Sequence, residues 1–159
     1  MKKIIVFGNS GAGKSTLAKK ISTENNIAHL DLDTLAFRAD VPTERRCIEE
    51  SLKDVNTFIK QSESWVIEGG YSDIFELILE QANDMIYLDL PAASCLDNAR
   101  NRAWEPHKYE SKEAQDKNLK MLLNWIQDYY SRDDAFSKAS HDVLYNQFSG
   151  NKTRIRSNQ

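Results

Sequence analysis

The sequence predicts a three-layer α/β/α fold, in which helices cover both faces of a five-stranded parallel sheet. Two observations support this prediction. Short apolar runs alternate along the chain with segments of helical periodicity, which is typical of parallel βαβ units. The runs are also continuously apolar, as in Ile4-Ile5-Val6-Phe7, which indicates strands that are buried on both faces.

Five segments have the composition of strands. They are residues 4–7, 27–30, 65–67, 85–88 and 153–156. The first four each end at a glycine or at a polar residue, where we expect the chain to leave the sheet. The turn Ser149-Gly150-Asn151 is expected to precede the fifth.

Helical patterns fill the connections between the strands. Thr43, with Glu44 behind it, is expected to cap the second helix. Pro91 is expected to open a later helix, with Ala103 among its inward-facing residues. The apolar positions that define the helices are Leu17, Ala18 and Ile21; Ile48, Leu52, Val55 and Ile59; Ile74, Leu77 and Ile78; Leu96, Ala99 and Ala103; Leu119, Leu122, Leu123 and Ile126; and Phe136, Val143 and Leu144.

A complete G-x-x-x-x-G-K-[ST] motif lies between the first strand and the first helix. It reads Gly8-Asn9-Ser10-Gly11-Ala12-Gly13-Lys14-Ser15, and Thr16 follows it. The glycines allow a tight turn whose backbone N–H groups bind phosphate, aided by the positive end of the helix dipole. We expect Lys14 to reach the β- and γ-phosphates of ATP, and the Ser15 hydroxyl to ligate Mg²⁺. The motif and Thr16 therefore predict the nucleotide-binding site.

Acidic residues follow the other predicted strands. Asp31 and Asp33 come after the second strand, Glu68 precedes Gly69-Gly70 at the end of the third, and Asp89 follows the fourth. Ligands of open parallel sheets bind at the carboxyl ends of the strands, so these groups should converge near the phosphate loop. Mg²⁺ is commonly held there by one or two carboxylates. Turn or cap roles remain the alternative for the two aspartates, and Asp89 is expected mainly to stabilise a helix.

These motifs resemble those of the small P-loop kinases, the group that includes adenylate, shikimate and gluconate kinases. The resemblance covers nearly the whole chain and implies the P-loop NTPase fold, with the strand order 2-3-1-4-5. Ile67-Glu68-Gly69-Gly70-Tyr71 is similar to the segment that these kinases carry at the end of strand three, and His29-Leu30-Asp31-Leu32-Asp33 resembles the Asp-x-Asp of shikimate kinases. Within the group, the chain most resembles the short adenylate-kinase-like proteins often labelled DNA topology modulation proteins.

The resemblance implies roles for several residues. Asp33 would orient the acceptor hydroxyl, and Arg100 and Arg102 would clamp the transferring phosphoryl group beside a short lid at residues 104–111. Ser149-Gly150-Asn151-Lys152 resembles the late loop beside adenine, which makes Asn151 and Lys152 nucleotide-binding candidates. The implied metal-binding set is Ser15, Asp31 and Glu68, and the implied acceptor-binding set is Asp31, Asp33, Arg38, Gly69 and Gly70.

The chain also departs from the pattern of adenylate kinases. Tyr71-Ser72 stands where those enzymes have a Pro-Arg that holds the nucleotide acceptor, and the lid contains no cysteine. Between Asp33 and Glu68, no pattern of arginines identifies a nucleoside monophosphate. The acceptor is therefore open between a nucleoside monophosphate and another hydroxylated metabolite.

Composition excludes some classes of partner. The net charge is −3, from 21 basic and 24 acidic residues, so neither nucleic acid nor an anionic membrane is favoured. The apolar run that ends at Gly8 is too short for a signal sequence or a membrane span, so we expect a cytoplasmic protein. Residues 1–159 have the length of a single domain. The isolated His29, His107 and His141 are interpreted as structural.

Taken together, the sequence predicts an ATP-dependent phosphotransferase that acts on a small-molecule acceptor. The alternative is a regulatory protein that binds ATP, hydrolyses it slowly and acts through a partner. An acceptor pocket distinguishes the two.

Overall fold

A parallel sheet of five strands forms the centre of the computed structural model, which describes residues 1–40 and 44–158. The strands are β1 (Lys3–Gly8), β2 (Ala28–Asp31), β3 (Trp65–Gly69), β4 (Asp84–Leu88) and β5 (Asn151–Ile155). Their order is β2-β3-β1-β4-β5, and every pairing is parallel. The predicted sheet and its strand order are confirmed.

Six α-helices connect the strands of the described residues. They are α1 (Lys14–Asn25), α2 (Ile48–Gln61), α3 (Ser72–Ile78), α4 (Ala92–Arg100), α5 (Lys112–Asp128) and α6 (Lys138–Gln147). Short 3-10 turns cover Leu32–Thr34 and Leu79–Gln81.

Both faces of the sheet are covered, because successive side chains of a strand point to opposite sides. On one face, Ile5 and Phe7 of β1 pack with Val55 of α2, Phe75 of α3 and Leu144 of α6. On the other face, a second cluster joins β1 to helices α1, α4 and α5. Its members there include Ile4, Val6, Ala18, Cys95 and Ile126. Burial on both sides explains why the strands are continuously apolar.

The structure corrects several expected boundaries. Thr43 lies outside the described residues, and α2 begins only at Ile48, because Arg45 forms a β-bridge with Phe37.

Helix α4 ends at Arg100, so Ala103 lies beyond it and is exposed. No side chain caps α4, and Asp89 instead forms ion pairs with Arg154 and Lys138. Phe136 precedes α6, and β5 begins two residues earlier than predicted.

The strand register determines which loops share an edge of the sheet. Gly8 at the end of β1 pairs with Leu88, and Leu88 pairs with Ile155 at the end of β5. On the other side of β1, Phe7 pairs with Gly69, and the neighbouring Glu68 pairs with Asp31. The phosphate loop and the acidic residues therefore emerge at the same edge, as the sequence predicts.

Candidate active site

The phosphate loop has a left-handed backbone at two glycines. Gly11 has φ +76° and Gly13 has φ +91°, a region that side chains rarely tolerate. A Cβ on Gly11 would also collide with the carbonyl oxygen of Cys95 on α4. Helix α1 begins directly after Gly13, at Lys14. The loop thus ends at a helix N-terminus, the arrangement that binds phosphate groups in other proteins.

The side chain of Lys14 folds back over its own loop. Its Nζ donates a hydrogen bond of 2.8 Å to the carbonyl oxygen of Asn9. Burial lowers the pKa of Lys14, while the negative charges of Glu68 and Asp33 raise it in part. Lys14 is therefore partly buried, in a site where nearby negative charges favour its charged form.

Ser15 connects the loop to the end of β3. Its hydroxyl donates a 2.7 Å hydrogen bond to Oε1 of Glu68, whose side chain is almost fully buried. Nε2 of His29 is 3.6 Å from the same carboxylate oxygen. Burial, followed by the charges of Glu68 and Asp33, raises the pKa of Asp31. Such crowding of carboxylates next to a serine hydroxyl suits a hard divalent cation, which prefers oxygen ligands.

Within residues 1–40 and 44–158, no group of three or more His, Cys, Asp or Glu side chains is arranged to hold a metal ion.

The two oxygens of the Asp33 carboxylate have different partners. Oδ1 accepts a 2.7 Å hydrogen bond from the hydroxyl of Tyr71, and Oδ2 accepts one of 3.1 Å from Nζ of Lys108. Burial raises the pKa of Asp33, but the charge of Lys108 and these hydrogen bonds outweigh it, so the pKa lies below its ordinary value. We call Asp31, Asp33, Tyr71 and Lys108 the acceptor corner.

Residues 101–111 connect α4 to α5, and one residue of this segment contacts the acceptor corner. Lys108 lies in this segment, and its Nζ is 3.8 Å from Asp31 and 3.7 Å from Glu105. Glu105 also pairs with Arg102, with 3.1 Å between Oε1 and Nη1. The charges of Arg102 and Lys108 both lower the pKa of Lys14. Successive ion pairs of Arg102 with Glu105, Glu105 with Lys108, and Lys108 with Asp33 thus connect this segment to the acceptor corner.

Other side chains fix the segment that begins at Gly70. The fully buried His141 is 2.8 Å from the Gly70 carbonyl oxygen through Nε2, and 2.8 Å from the Tyr129 hydroxyl through Nδ1. Burial lowers the pKa of His141 to about 4. The imidazole is therefore neutral near pH 7, and its Nε2–H donates to Gly70. His141 is thus a buried structural residue, as predicted. Its bond to Gly70 holds the backbone next to Tyr71 of the acceptor corner.

The structure does not bring four predicted residues to the site. Arg38 pairs with Asp40 and Glu44 of its own loop, at 2.7 and 2.9 Å. Arg100 has half of its side chain exposed and lies 3.3 Å from Asp97, one turn earlier on α4. Asn151 and Lys152 are the first residues of β5, at the opposite edge of the sheet from the phosphate loop, because β5 runs parallel to β4. These placements correct the predictions for Arg38, Arg100, Asn151 and Lys152.

Comparison with known proteins places the chain in a family. The family model described as Zeta toxin matches residues 2–89, more than half of the sequence. The chain belongs to the zeta toxin family. The match covers the phosphate loop, Asp31, Asp33 and the Glu68 segment, which are the parts of the site that lie between β1 and β4. None of the curated proteins matches this member of the zeta toxin family.

Solved structures of kinases share its fold. A shikimate kinase from Bacteroides thetaiotaomicron has 14% identity and a TM-score of 0.51, over 91% of this chain and 97% of that one. A gluconokinase from Sinorhizobium meliloti has 12% identity and a TM-score of 0.54, over 97% and 82%. A sugar kinase from a Janibacter species has 12% identity and a TM-score of 0.55, over 98% and 85%. At these identities, the similarity shows the P-loop kinase fold of this zeta toxin family member.

Sequence reasoning missed two residues of the acceptor corner. Lys108 lies inside the predicted lid, but the cations predicted for the site are Arg100 and Arg102, which precede the lid. Tyr71 belongs to the segment that resembles the small kinases, but no role in the site was predicted for it.

Proposed function

We propose that the protein is an ATP-dependent kinase of a small hydroxylated acceptor. One observation carries the proposal: Asp33 lies at the same edge of the sheet as the phosphate loop, with one carboxylate oxygen bound by Tyr71 and the other bound, among the described residues, by Lys108 alone. A site for ATP binding alone does not need such a carboxylate. An acceptor hydroxyl does, because it must be oriented and deprotonated during transfer.

On the nucleotide side, the loop N–H groups would bind the β-phosphate, and Lys14 would exchange its bond with Asn9 for phosphate oxygens. Arg102 and Lys108 would approach the transferring phosphoryl group from the lid. The oxygens of Ser15, Glu68 and Asp31 fit a magnesium ion, directly or through water, and such an ion supplies positive charge to the phosphates.

On the acceptor side, Asp33 would accept the hydroxyl proton through Oδ2 once Lys108 has moved away. Tyr71 keeps Oδ1 in place through its hydrogen bond. Arg45 lies next to this site, with its guanidinium carbon 5.1 Å from the centre of the Tyr71 ring. Its buried Nε makes no hydrogen bond within the described part of the chain, while its terminal nitrogens bind Asp73. This cation supports an acceptor with a phosphate or carboxylate group.

A radiolabelled transfer assay tests the proposal. Wild-type protein is incubated with Mg²⁺ and γ-labelled ATP against a panel of nucleoside monophosphates, hydroxy acids such as shikimate and gluconate, and sugars. We expect one class to become labelled, and Lys14→Ala to abolish the labelling. Labelled inorganic phosphate alone, with no labelled acceptor, would instead favour the regulatory nucleotide-binding protein.

Other expectations from the sequence stay predictions. They include the cytoplasmic location, the single domain over residues 1–159, the absence of a nucleic-acid partner and the narrower grouping with the DNA topology modulation proteins. Among the described residues, no helix combines the length and the apolar composition needed to cross a membrane.

A further inference from the structure

The outer side of the phosphate loop is held by a side chain that the proposed chemistry does not use. Nδ2 of Asn98, on α4, donates a 2.8 Å hydrogen bond to the carbonyl oxygen of Gly11. Gly11 is buried, so its carbonyl group depends on a partner within the protein. Cys95, one turn earlier on the same helix, lies directly against Gly11. Helix α4 therefore both limits the space outside the loop and binds its backbone.

A second asparagine fixes the orientation of the first. Nδ2 of Asn98 also donates to Oδ1 of Asn158 at 2.8 Å, and Nδ2 of Asn158 donates back to Oδ1 of Asn98 at 3.2 Å. The two carboxamides thus form a reciprocal pair. Together with the bond to Gly11, this pair uses both N–H donors of Asn98 and its oxygen. A flipped Asn98 amide would place its oxygen against the Gly11 carbonyl oxygen.

The position of Asn158 follows from the topology of the sheet. Strand β5 ends at Ile155, in register with Leu88 and hence with Gly8 of the loop. The Asp89 N–H donates to the Ile155 carbonyl oxygen at 2.8 Å, which holds the end of the strand at that edge. Residues 156–158 therefore emerge beside the phosphate loop, whereas Asn151 lies at the other edge.

We propose that Asn98 is a positioning residue for nucleotide binding, which holds the Gly11 peptide in its phosphate-binding orientation, and that Asn158 locks the Asn98 carboxamide. This inference rests on the proposed binding of ATP at the loop. Inside the loop, the Ala12 N–H and Lys14 Nζ both donate to the Asn9 carbonyl oxygen, at 3.2 and 2.8 Å. With the Gly11 carbonyl held outward by Asn98, the loop peptides are bound on both sides before a phosphate arrives.

Calorimetry with Mg²⁺ and a non-hydrolysable ATP analogue provides the test. Loss of one hydrogen bond to a buried carbonyl corresponds to about a tenfold weaker affinity for Asn98→Ala. Asn98→Asp should weaken binding at least as much, because a carboxylate oxygen then faces the Gly11 carbonyl. The exposed Asn158→Ala should have a smaller effect, about threefold, since the Gly11 bond remains. Asn101→Ala, which alters another exposed asparagine just after α4, is the matched control and should bind normally.

A double variant separates positioning from general stability. If Asn158 acts through Asn98, then Asn98→Ala/Asn158→Ala binds as Asn98→Ala does, with no further loss. Wild-type affinity in a folded Asn98→Ala protein would overturn the proposal, even if its melting temperature falls. Independent additive losses for the two variants would overturn the role of Asn158.

Hydrogen exchange distinguishes failure of this inference from failure of the proposed function. In the nucleotide-free protein, residues 9–14 should exchange faster in Asn98→Ala than in Asn101→Ala. If the wild type does not bind the analogue, the proposed function fails, and this exchange result still decides whether Asn98 holds the loop. Equal exchange in the two variants would overturn the positioning role.

Discussion

The phosphate loop and the acceptor corner lie at the same edge of the sheet. The contacts within each region, however, span different distances along the chain. The internal bonds of the loop join neighbours, such as Lys14 and Asn9. In the acceptor corner, Asp33 is bound by Tyr71, 38 residues later, and by Lys108, 75 residues later. A contiguous motif therefore supplies the internal bonds of the loop, to which Asn98 adds one from α4, whereas the acceptor corner exists only once β2, β3 and the lid have come together. Variants in each region should separate nucleotide binding from transfer.

The largest expected effect comes from Asp33→Asn. Loss of a carboxylate that orients and deprotonates the acceptor lowers turnover by roughly 10²- to 10⁴-fold. Affinity for the ATP analogue should stay within a few-fold, because Lys14 and the loop are unchanged. Transfer kinetics and calorimetry measure the two quantities, with Asp116→Asn on the exposed side of α5 as the control. An equal loss of transfer and background hydrolysis would make Asp33 a structural turn residue.

Lys14→Ala should produce the complementary result. Lys14 is the only charged side chain within the loop, and its loss should weaken binding of ATP with Mg²⁺ by about a hundredfold. Lys19→Ala, on the exposed side of the same helix, provides the control for calorimetry. Equal affinities of wild type and Lys14→Ala would remove the basis for the nucleotide site.

Low pH should reduce the free energy of unfolding through His141, which lies beneath the acceptor corner. Burial lowers the pKa of His141 to about 4, whereas an unfolded histidine titrates near 6.5. Below pH 6.5 the unfolded state binds this proton and the folded state does not, so stability falls until about pH 4. The loss amounts to roughly 3 kcal/mol of unfolding free energy. Urea unfolding at pH 7 and pH 4.5 measures it.

Two variants identify the group responsible for this acid dependence. His141→Gln should reduce the change in unfolding free energy between pH 7 and pH 4.5, because no imidazole is left to titrate beneath Gly70. His107→Gln, which changes an exposed histidine in the lid, should keep the wild-type dependence. If both variants behave alike, another group controls the acid response.

The smallest effect is expected for the lid. Lys108→Met removes partly exposed ion pairs to Asp33 and Asp31, and such pairs contribute at most about 1 kcal/mol each. Hydrogen exchange of residues 104–111 should become a few-fold faster in the nucleotide-free protein. Lys112→Met, which removes an exposed pair at the start of α5, is the matched control. Addition of the ATP analogue to the wild type should slow exchange of the same segment.

Features that depend on neighbouring residues could be predicted from the sequence, whereas contacts between distant residues could not. The strands were predictable because continuous apolar runs are local signals, whereas their order was implied by the resemblance to the small P-loop kinases. Glu68 was found because it directly precedes two glycines. Lys108 was not, because nothing next to it in sequence shows that it reaches Asp33. Arg100 was misassigned because its partner, Asp97, lies one helical turn away and holds it on the surface.

The assignment of Asn151 and Lys152 failed for a different reason. A loop that precedes a parallel strand lies at its amino end, whereas ligands bind at the carboxyl ends. The predicted position of the last strand was already sufficient to exclude both residues. Strand direction is therefore stronger evidence for the position of a loop than the resemblance of four residues.

Lys152 has a consequence for the outer border of the sheet. Strand β5 has a neighbour on one side only, and its first three residues are exposed. Lys152 remains there, with its ammonium group bound to the carbonyl oxygen of Tyr145 and 4.6 Å from the centre of that ring. Arg154 lies two residues further along. Basic side chains on an open strand oppose its pairing with a strand of another molecule, so this border is protected against edge-to-edge aggregation.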